Sequence, residues 1–374
     1  MTDFPISGFT APGFEPVLET FEETFAADEE LGAGFAAYLD GEPIIDLRGG
    51  YADRRKERLW DERTIVPVYS TTKPIAALVL ARVIDALPAG YETPVADLWP
   101  DFGAHGKDTV TIAQLVSHQA GLPGFVAPVD PALWLDPEAC AAALAPLAPL
   151  WPPGTAHGYH PLSWGYLIGE VVKRIDGRSL GTILREEIAG PAQIDFQIGT
   201  PAGDHDRVAE IMRPRALPEL GDLNDATKAA FLTKWAAPDR GGAIWREIEI
   251  PSANGIGTAS AVAQLYGIYA HAGMLGGTRV ISDAAFEALT QSRVKGQDLV
   301  LPYVTEFAAG VMRNNLGLYG PNPETLCHSG WGGSLALGDP DRKLSAAYVM
   351  NRQSNRLQAD PRATRLVNSL YGCL

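Results

Sequence analysis

The chain has 374 residues, 46% of them hydrophobic and 20% charged, with a formal net charge of −15. That much apolar material fills a sizeable core and excludes disorder for most of the chain. Such an acid excess repels phosphate backbones and anionic lipid, so neither nucleic acid nor a membrane is expected as a partner.

The length exceeds the usual single-domain range of about 100–200 residues, so two domains or an elaborated insert are expected. The opening Met1-Thr2-Asp3-Phe4-Pro5 lacks the basic and apolar stretches of a signal peptide. The longest apolar stretch, Ala139 to Trp151, falls short of the roughly 20 residues that span a bilayer. Cys140, Cys327 and Cys373 lie far apart without metal-type spacing, which suits a reducing cytosol. A cytoplasmic location is expected.

In chain order, Phe35–Leu39 and Pro43–Leu47 flank Asp40-Gly41, a strong hairpin-turn signal. From Ile75 to Leu87 the sequence is apolar almost all round, which predicts a buried helix. Between Pro123 and Pro153 lie eight of the 29 prolines, so that stretch reads as mostly a shaped loop. Helical spacing marks Ile112–Val116, Trp164–Ile175 and Leu180–Ile188. Strands return at Phe307–Met312, Ser334–Leu337 and Leu344–Asn351, before a last helix from about Pro361 to Leu370. Strands at both ends predict an α+β fold, with one antiparallel sheet built from both termini and flanked by helices. Residues 1–66 and 275–374 would form the sheet domain. Residues 67–274 would form a mainly helical inserted domain, its loops walling a cleft.

Three serines compete as nucleophile. Ser70-Thr71-Thr72-Lys73 is an S-x-x-K, and residues three apart on a helix share a face, so Lys73 can reach Ser70. Pro74 is tolerated only near a helix's first turn, which starts the helix around Ser70 or Thr71. The hydroxyl then lies at the positive helix end, as nucleophile or as a plain N-cap. A second S-x-x-K, Ser292 to Lys295, has no apolar helix behind it and reads as a solvated helix end. Gly177-Arg178-Ser179-Leu180-Gly181 matches G-x-S-x-G, yet follows a helix where a nucleophile elbow needs a strand. Gly177 there reads as a C-cap and Ser179 as an N-cap.

An acyl-transfer serine also needs a proton relay and backbone donors for an oxyanion. Tyr159, after Pro153-Gly154-Thr155, could relay if a neighbouring Lys73 cation lowers its pKa. His328-Ser329-Gly330-Trp331-Gly332-Gly333 runs into an apolar strand, and glycines there would let backbone approach a ligand. His118 reads as structural, His157 and His160 as loop residues without a third metal ligand, and Asp204-His205-Asp206 as a solvated turn. Cys327 and His328 are adjacent on a strand, so their side chains would face opposite ways.

These segments, in this order, resemble the penicillin-recognising serine hydrolases: class C β-lactamases, D-Ala-D-Ala carboxypeptidases and family VIII carboxylesterases. Leu115-Val116-Ser117-His118-Gln119-Ala120-Gly121-Leu122-Pro123, Ser252-Ala253-Asn254-Gly255 and Asp339-Pro340 extend the resemblance over most of the chain. It implies a β-lactamase/transpeptidase-like fold, with Ser70 as nucleophile, Lys73 as base and Tyr159 as the tyrosine of Y-x-N. His328-Ser329-Gly330 takes the place of K-T-G as the substrate-binding strand. The backbone amides of Ser70 and Trp331 would then form the oxyanion hole. Two departures, Pro161 for the Asn and His328 for the Lys, are similar to the esterase branch. The third motif has two possible registers, because Trp331-Gly332-Gly333 resembles the W-x-G of some family VIII esterases. The resemblance implies a serine carboxylesterase acting on a small-molecule ester, without metal or organic cofactor. A β-lactamase or peptidase-like amidase is the alternative, and a non-catalytic binding relative the third.

Overall fold

In the computed structural model, which describes residues 4–216, 218–232 and 242–374, the expected hairpin anchors the sheet. Strands β2 (Gly32–Leu39) and β3 (Glu42–Gly50) meet at Asp40 and Gly41, whose φ angles are +52° and +87°. Two positive φ values make the mirror-image turn that matches strand twist. β1 (Ile6–Thr10) pairs along β3. The C-terminal part supplies β4 (Val294–Gln297), β5 (Val304–Phe307), β6 (Met312–Arg313), β7 (Leu326–Ser329), β8 (Leu335–Asp339) and β9 (Leu344–Met350). The nine strands run antiparallel in the order β1-β3-β2-β9-β8-β7-β6-β5-β4. The two chain ends join at β2 and β9, in register from Leu39 opposite Leu344 to Ala33 opposite Met350.

Side chains alternate across that seam, as strand geometry requires. Phe35, Ala37, Ala346 and Tyr348 face a layer formed by α1 (Glu15–Ala26) and α5 (Pro361–Gly372). Ala36, Ala347 and Val349 face the larger core. That core holds α2 (Thr72–Ile84), α3 (Ser163–Asp176) and α4 (Ala259–Ala270). All but one residue of α2 is buried, as its all-round apolar sequence requires. Helix α4 lies on β2, β8 and β9, so a helix from within 67–274 packs on the sheet.

Several elements differ from the sequence reading. Phe307–Met312 is two short strands, because the chain turns at Gly310 (φ +84°) between them. The proline-rich stretch contains a helix, Pro137–Leu144, and a tight turn at Pro131–Leu135. Each proline fills a first helical position, where its missing N–H costs nothing, and Asp130 and Asp136 cap the two starts. Lys295 lies on edge strand β4 and pairs with Glu306 at 2.9 Å, so the second S-x-x-K is not helical. Among the described residues, no helix is long and apolar enough to cross a membrane.

A buried ion network closes the sheet's end. Arg362, at the start of α5, donates to Asp360 (2.8 Å), Glu30 (3.0 Å) and the carbonyls of Arg352, Glu29 and Gly332. Burial pushes Glu30's carboxyl up to about 7 against the pull of Arg362. Arg362→Leu strands two buried carboxylates, and should cost about 3–5 kcal/mol in urea unfolding. A loss below about 1 kcal/mol, the scale of an exposed pair, would show that the network does not hold these segments together.

Candidate active site

Ser70 owes its place to a bend. Val66–Pro67 pairs with Gly255–Gly257 in a small sheet, and the chain then turns sharply at Tyr69. Tyr69 has φ +51°, a left-handed conformation that costs an aromatic residue about 1–3 kcal/mol and needs firm support. That support is visible. Tyr266 and Tyr269 of α4 donate to the carbonyls of Thr71 (2.9 Å) and Pro74 (2.7 Å). Thr72 Oγ1 accepts from the Gly255 N–H at 3.0 Å. A single 3-10 turn, Tyr69–Thr71, then leads into α2, placing Ser70 just ahead of the helix N-terminus.

Lys73 is 0% exposed, and its Nζ reaches three oxygens: Ser70 Oγ (3.1 Å), Pro161 O (2.8 Å) and Ser252 O (3.0 Å). Burial pushes the amine well below the usual lysine range. A neutral amine has two N–H groups and one lone pair. Carbonyl oxygens can only accept, so the two carbonyls take both N–H groups. The lone pair is left facing the Ser70 hydroxyl, an arrangement that can take its proton.

Those carbonyls are themselves fixed. Asn254 accepts from the Ile250 N–H (2.8 Å) and donates to the carbonyls of Trp245 (2.8 Å) and Ile248 (2.7 Å). Ser252 Oγ donates to Leu162 O at 2.9 Å, joining the two carbonyl-bearing segments. Sequence reasoning noted Asn254 and Pro161 but missed this use of their surroundings. A backbone acceptor leaves no residue-type signal.

Tyr159 is buried, with its ring centroid 4.7 Å from Lys73 Nζ. Burial pushes the phenol up, and the nearby Ser70 hydroxyl opposes this only in part. Burial thus works against the lowering that a Lys73 cation would bring, because it raises the phenol and at the same time favours the neutral lysine. His328, on β7, donates from Nδ1 to Ser329 O at 2.7 Å, which leaves Nε2 as an acceptor. Burial, reinforced by nearby Lys73, lowers its pKa to about 3, so the ring is neutral.

The strand motif touches the serine segment directly. Gly330 N–H donates to Ser334 O (2.8 Å), and Ser334 Oγ donates to Val68 O (2.7 Å). A Cβ on Gly330 would lie 2.2 Å from Val68 O, so only glycine fits this approach. Ser70, Tyr159, His328, Ser329 and Trp331 together line a cavity of about 230 Å³, with Lys73 behind Ser70 and Gly330 behind the wall. Among the described residues, its lining includes no Asp, Glu, Lys or Arg.

The competing features lie elsewhere. Ser179 caps its helix and donates to Glu249 at 2.6 Å, while Ser292 follows the helix Asp283–Thr290. His160 Nε2 accepts from the Leu122 N–H, and His118 Nδ1 from the His160 N–H, so both hold loops. Among the described residues, no group of three or more His, Cys, Asp or Glu side chains could hold a metal ion.

A serine hydroxyl on a helix start, backed by a buried lysine and opening on an apolar cavity, is the arrangement of a serine hydrolase. The chain belongs to the β-lactamase family, whose model matches residues 18–369. It is 32% identical over 363 residues to the esterase/beta-lactamase LipL of Mycobacterium tuberculosis, covering 93% of this chain and 83% of that one. Among solved structures it is similar to a penicillin-binding protein homologue from Caulobacter crescentus, at 49% identity and a TM-score of 0.95. That match covers 99% of this chain and 100% of the other. A family VIII carboxylesterase matches at 38% identity and a TM-score of 0.93, with the same coverage of 99% and 100%.

The site's electrostatics set a pH profile. If Lys73 is the base, it must be neutral to act, so activity should be present above its pKa and lost as pH falls through it. Burial lowers that pKa, so kcat/KM should rise with an apparent value well below the usual lysine value of about 10.4. Tyr159 is raised and His328 lies at about 3, so neither adds a falling limb near neutrality. A bell-shaped profile falling near pH 7 would assign the chemistry to another acid.

Proposed function

We propose that the protein is a serine carboxylesterase that hydrolyses short-chain, uncharged esters through an acyl-enzyme on Ser70. The observation that carries this reading is the cavity over Ser70, apolar and without a charged side chain among the described residues. A β-lactam or a peptide C-terminus brings a carboxylate. Buried there without a counter-charge, it would cost several kcal/mol, roughly the penalty of an unpaired ion. Neutral His328 offers it no cation. An ester of an uncharged acid and alcohol carries no such penalty. The esterase activity in the names of LipL and the family VIII structure supports the same class.

In this mechanism, Lys73 accepts the Ser70 proton as Oγ adds to the ester carbonyl. The backbone N–H groups of Ser70 and Trp331 hold the oxyanion, a contribution of about 10²–10³-fold per donor in comparable sites. As the tetrahedral adduct collapses, the proton passes from Lys73 by way of Tyr159 to the departing alkoxide. A neutral phenol can accept one proton while giving up its own, so no phenolate is required. Water then adds to the acyl-enzyme by the same route, releasing the acid and restoring Ser70. On this reading the helical region supplies Ser70, Lys73 and Tyr159, and the sheet region supplies the strand opposite. The buried free thiols of Cys140 and Cys327 fit a cytoplasmic site of action.

Two measurements test the reading. Ser70→Ala should lower kcat by about 10⁴-fold or more, the scale of losing a nucleophile that acts in a unit. Ser179→Ala should retain most activity, and a phosphonate probe that labelled Ser179 instead would overturn the assignment. For substrate class, kcat/KM for short p-nitrophenyl esters should exceed that for a cephalosporin by at least about 100-fold, or roughly 2.7 kcal/mol. Efficient cephalosporin turnover with poor ester hydrolysis would make the protein a β-lactamase.

A further inference from the structure

Asp298 lies just beyond the C-terminal end of β4, with its side chain fully buried. Among the described residues, no lysine or arginine pairs with it. Backbone groups gather on it instead. Oδ1 accepts from the N–H groups of Tyr159 (3.0 Å), Val300 (2.8 Å) and Leu301 (2.9 Å). Oδ2 accepts from the Thr305 hydroxyl at 3.1 Å. With its proton so used, Thr305 Oγ1 accepts from His157 Nε2 at 2.8 Å. The Leu299 N–H closes the ring of contacts on His157 O at 3.0 Å.

One carboxylate therefore ties two loops. The first carries Tyr159 and, two residues on, the Pro161 carbonyl that holds Lys73. The second carries Leu301 and Tyr303 of the cavity wall. Asp298 itself does not line the cavity. Apart from the nearby Ser70 hydroxyl, the Tyr159 hydroxyl has no hydrogen-bond partner among the described residues. Its place depends on its backbone and on ring contacts, including a stack on Phe307 at 6.2 Å and 12°. Thr305 and Phe307 both belong to β5, so this strand supports Tyr159 twice, once by packing and once through Asp298. The nearest titratable partner of Asp298 is His157, 3.9 Å away and lowered by burial against the pull of Asp298, so a carboxylate is an expensive way to close this turn. It is an effective way to converge several N–H groups, because charge-assisted bonds are shorter and roughly twice as strong as neutral ones.

We propose that Asp298 is the positioning residue for Tyr159, fixing the phenol against Ser70 and Lys73 through the Tyr159 backbone. This rests on the reading of Tyr159 as proton relay. The test is a double-mutant cycle on kcat and KM for a short p-nitrophenyl ester. Tyr159→Phe should lose about 10²–10⁴-fold in kcat, the scale of general acid–base help. Asp298→Ala should lose about 10²-fold in kcat, the cost of a misplaced catalytic group, with a smaller change in KM. Added to Tyr159→Phe, the same substitution should cost less than about threefold more, because its target is already gone. Asp298→Asn keeps an oxygen for the three N–H groups and should recover at least about tenfold of what alanine loses. If Asp298→Ala does not fold, Thr305→Val takes its place in the cycle, removing only the support on Oδ2. Losses that multiply in the double variant, or fall on KM alone, would overturn the positioning role and leave the relay intact. Near-normal kcat in Tyr159→Phe would overturn both.

Discussion

The site is organised around one amine shut away from solvent and held by two backbone carbonyls. Lys73 as a cation would bury its charge without a carboxylate paired to it among the described residues, so burial favours the neutral form. Neutral, it has no spare donor, because Pro161 O and Ser252 O take both N–H groups. Each of those carbonyls needs its own scaffold. Ser252 depends on the three bonds of Asn254, and Pro161 follows directly on the segment that Asp298 grips. Helix α2, buried at every residue but Arg82, packs the amine away from solvent.

That constraint shows which parts of the molecule could be read from sequence. The hairpin at Asp40-Gly41, the all-apolar α2 and the final helix carry local signals in turn chemistry and periodicity, and the structure contains them. Ser70 and Lys73 were legible because side-chain spacing on a helix is local. The carbonyls that complete the amine's shell were not, because every residue has one and only the fold selects which is used. Asp298 was silent for a related reason: its partners are backbone N–H groups, two from the residues just after it and one, that of Tyr159, brought in from 139 residues away. Helix α1 is a different case. Phe14, Val17, Phe21 and Phe25 repeat at helical spacing around Pro16, a signal present in the sequence but left unread.

Electrostatics act at two ranges. The net charge of −15 disfavours the approach of anions from solvent, an effect that salt weakens. Inside the cavity, the lack of charged lining among the described residues acts at contact range, where salt does not reach. On the proposed function, both effects disfavour anionic substrates. They also make opposite demands on Lys73, since a negative protein field favours its protonated form while burial disfavours it. Burial sets the direction of the shift, because its penalty is local while the field of distant surface charges is screened.

Pro161 and His328 are the two positions where the chain departs from the lactamase pattern, and the structure separates what each must still do. At Pro161 the side chain that would meet a substrate amide is absent, yet its carbonyl remains and binds Lys73 at 2.8 Å. Proline lacks an N–H, but acceptance is all the amine requires. At His328 an ammonium is replaced by a neutral ring whose free nitrogen accepts and cannot donate. The support for the base is therefore kept by backbone, while the groups that would recognise an amide and a carboxylate are removed from side chains. At Pro161 the backbone oxygen that holds Lys73 and the side-chain position that would meet a substrate are different atoms of one residue. On the proposed function, that separation would let a lactamase-family scaffold keep Ser70 as nucleophile while its preferred substrate is a neutral ester rather than an anionic amide.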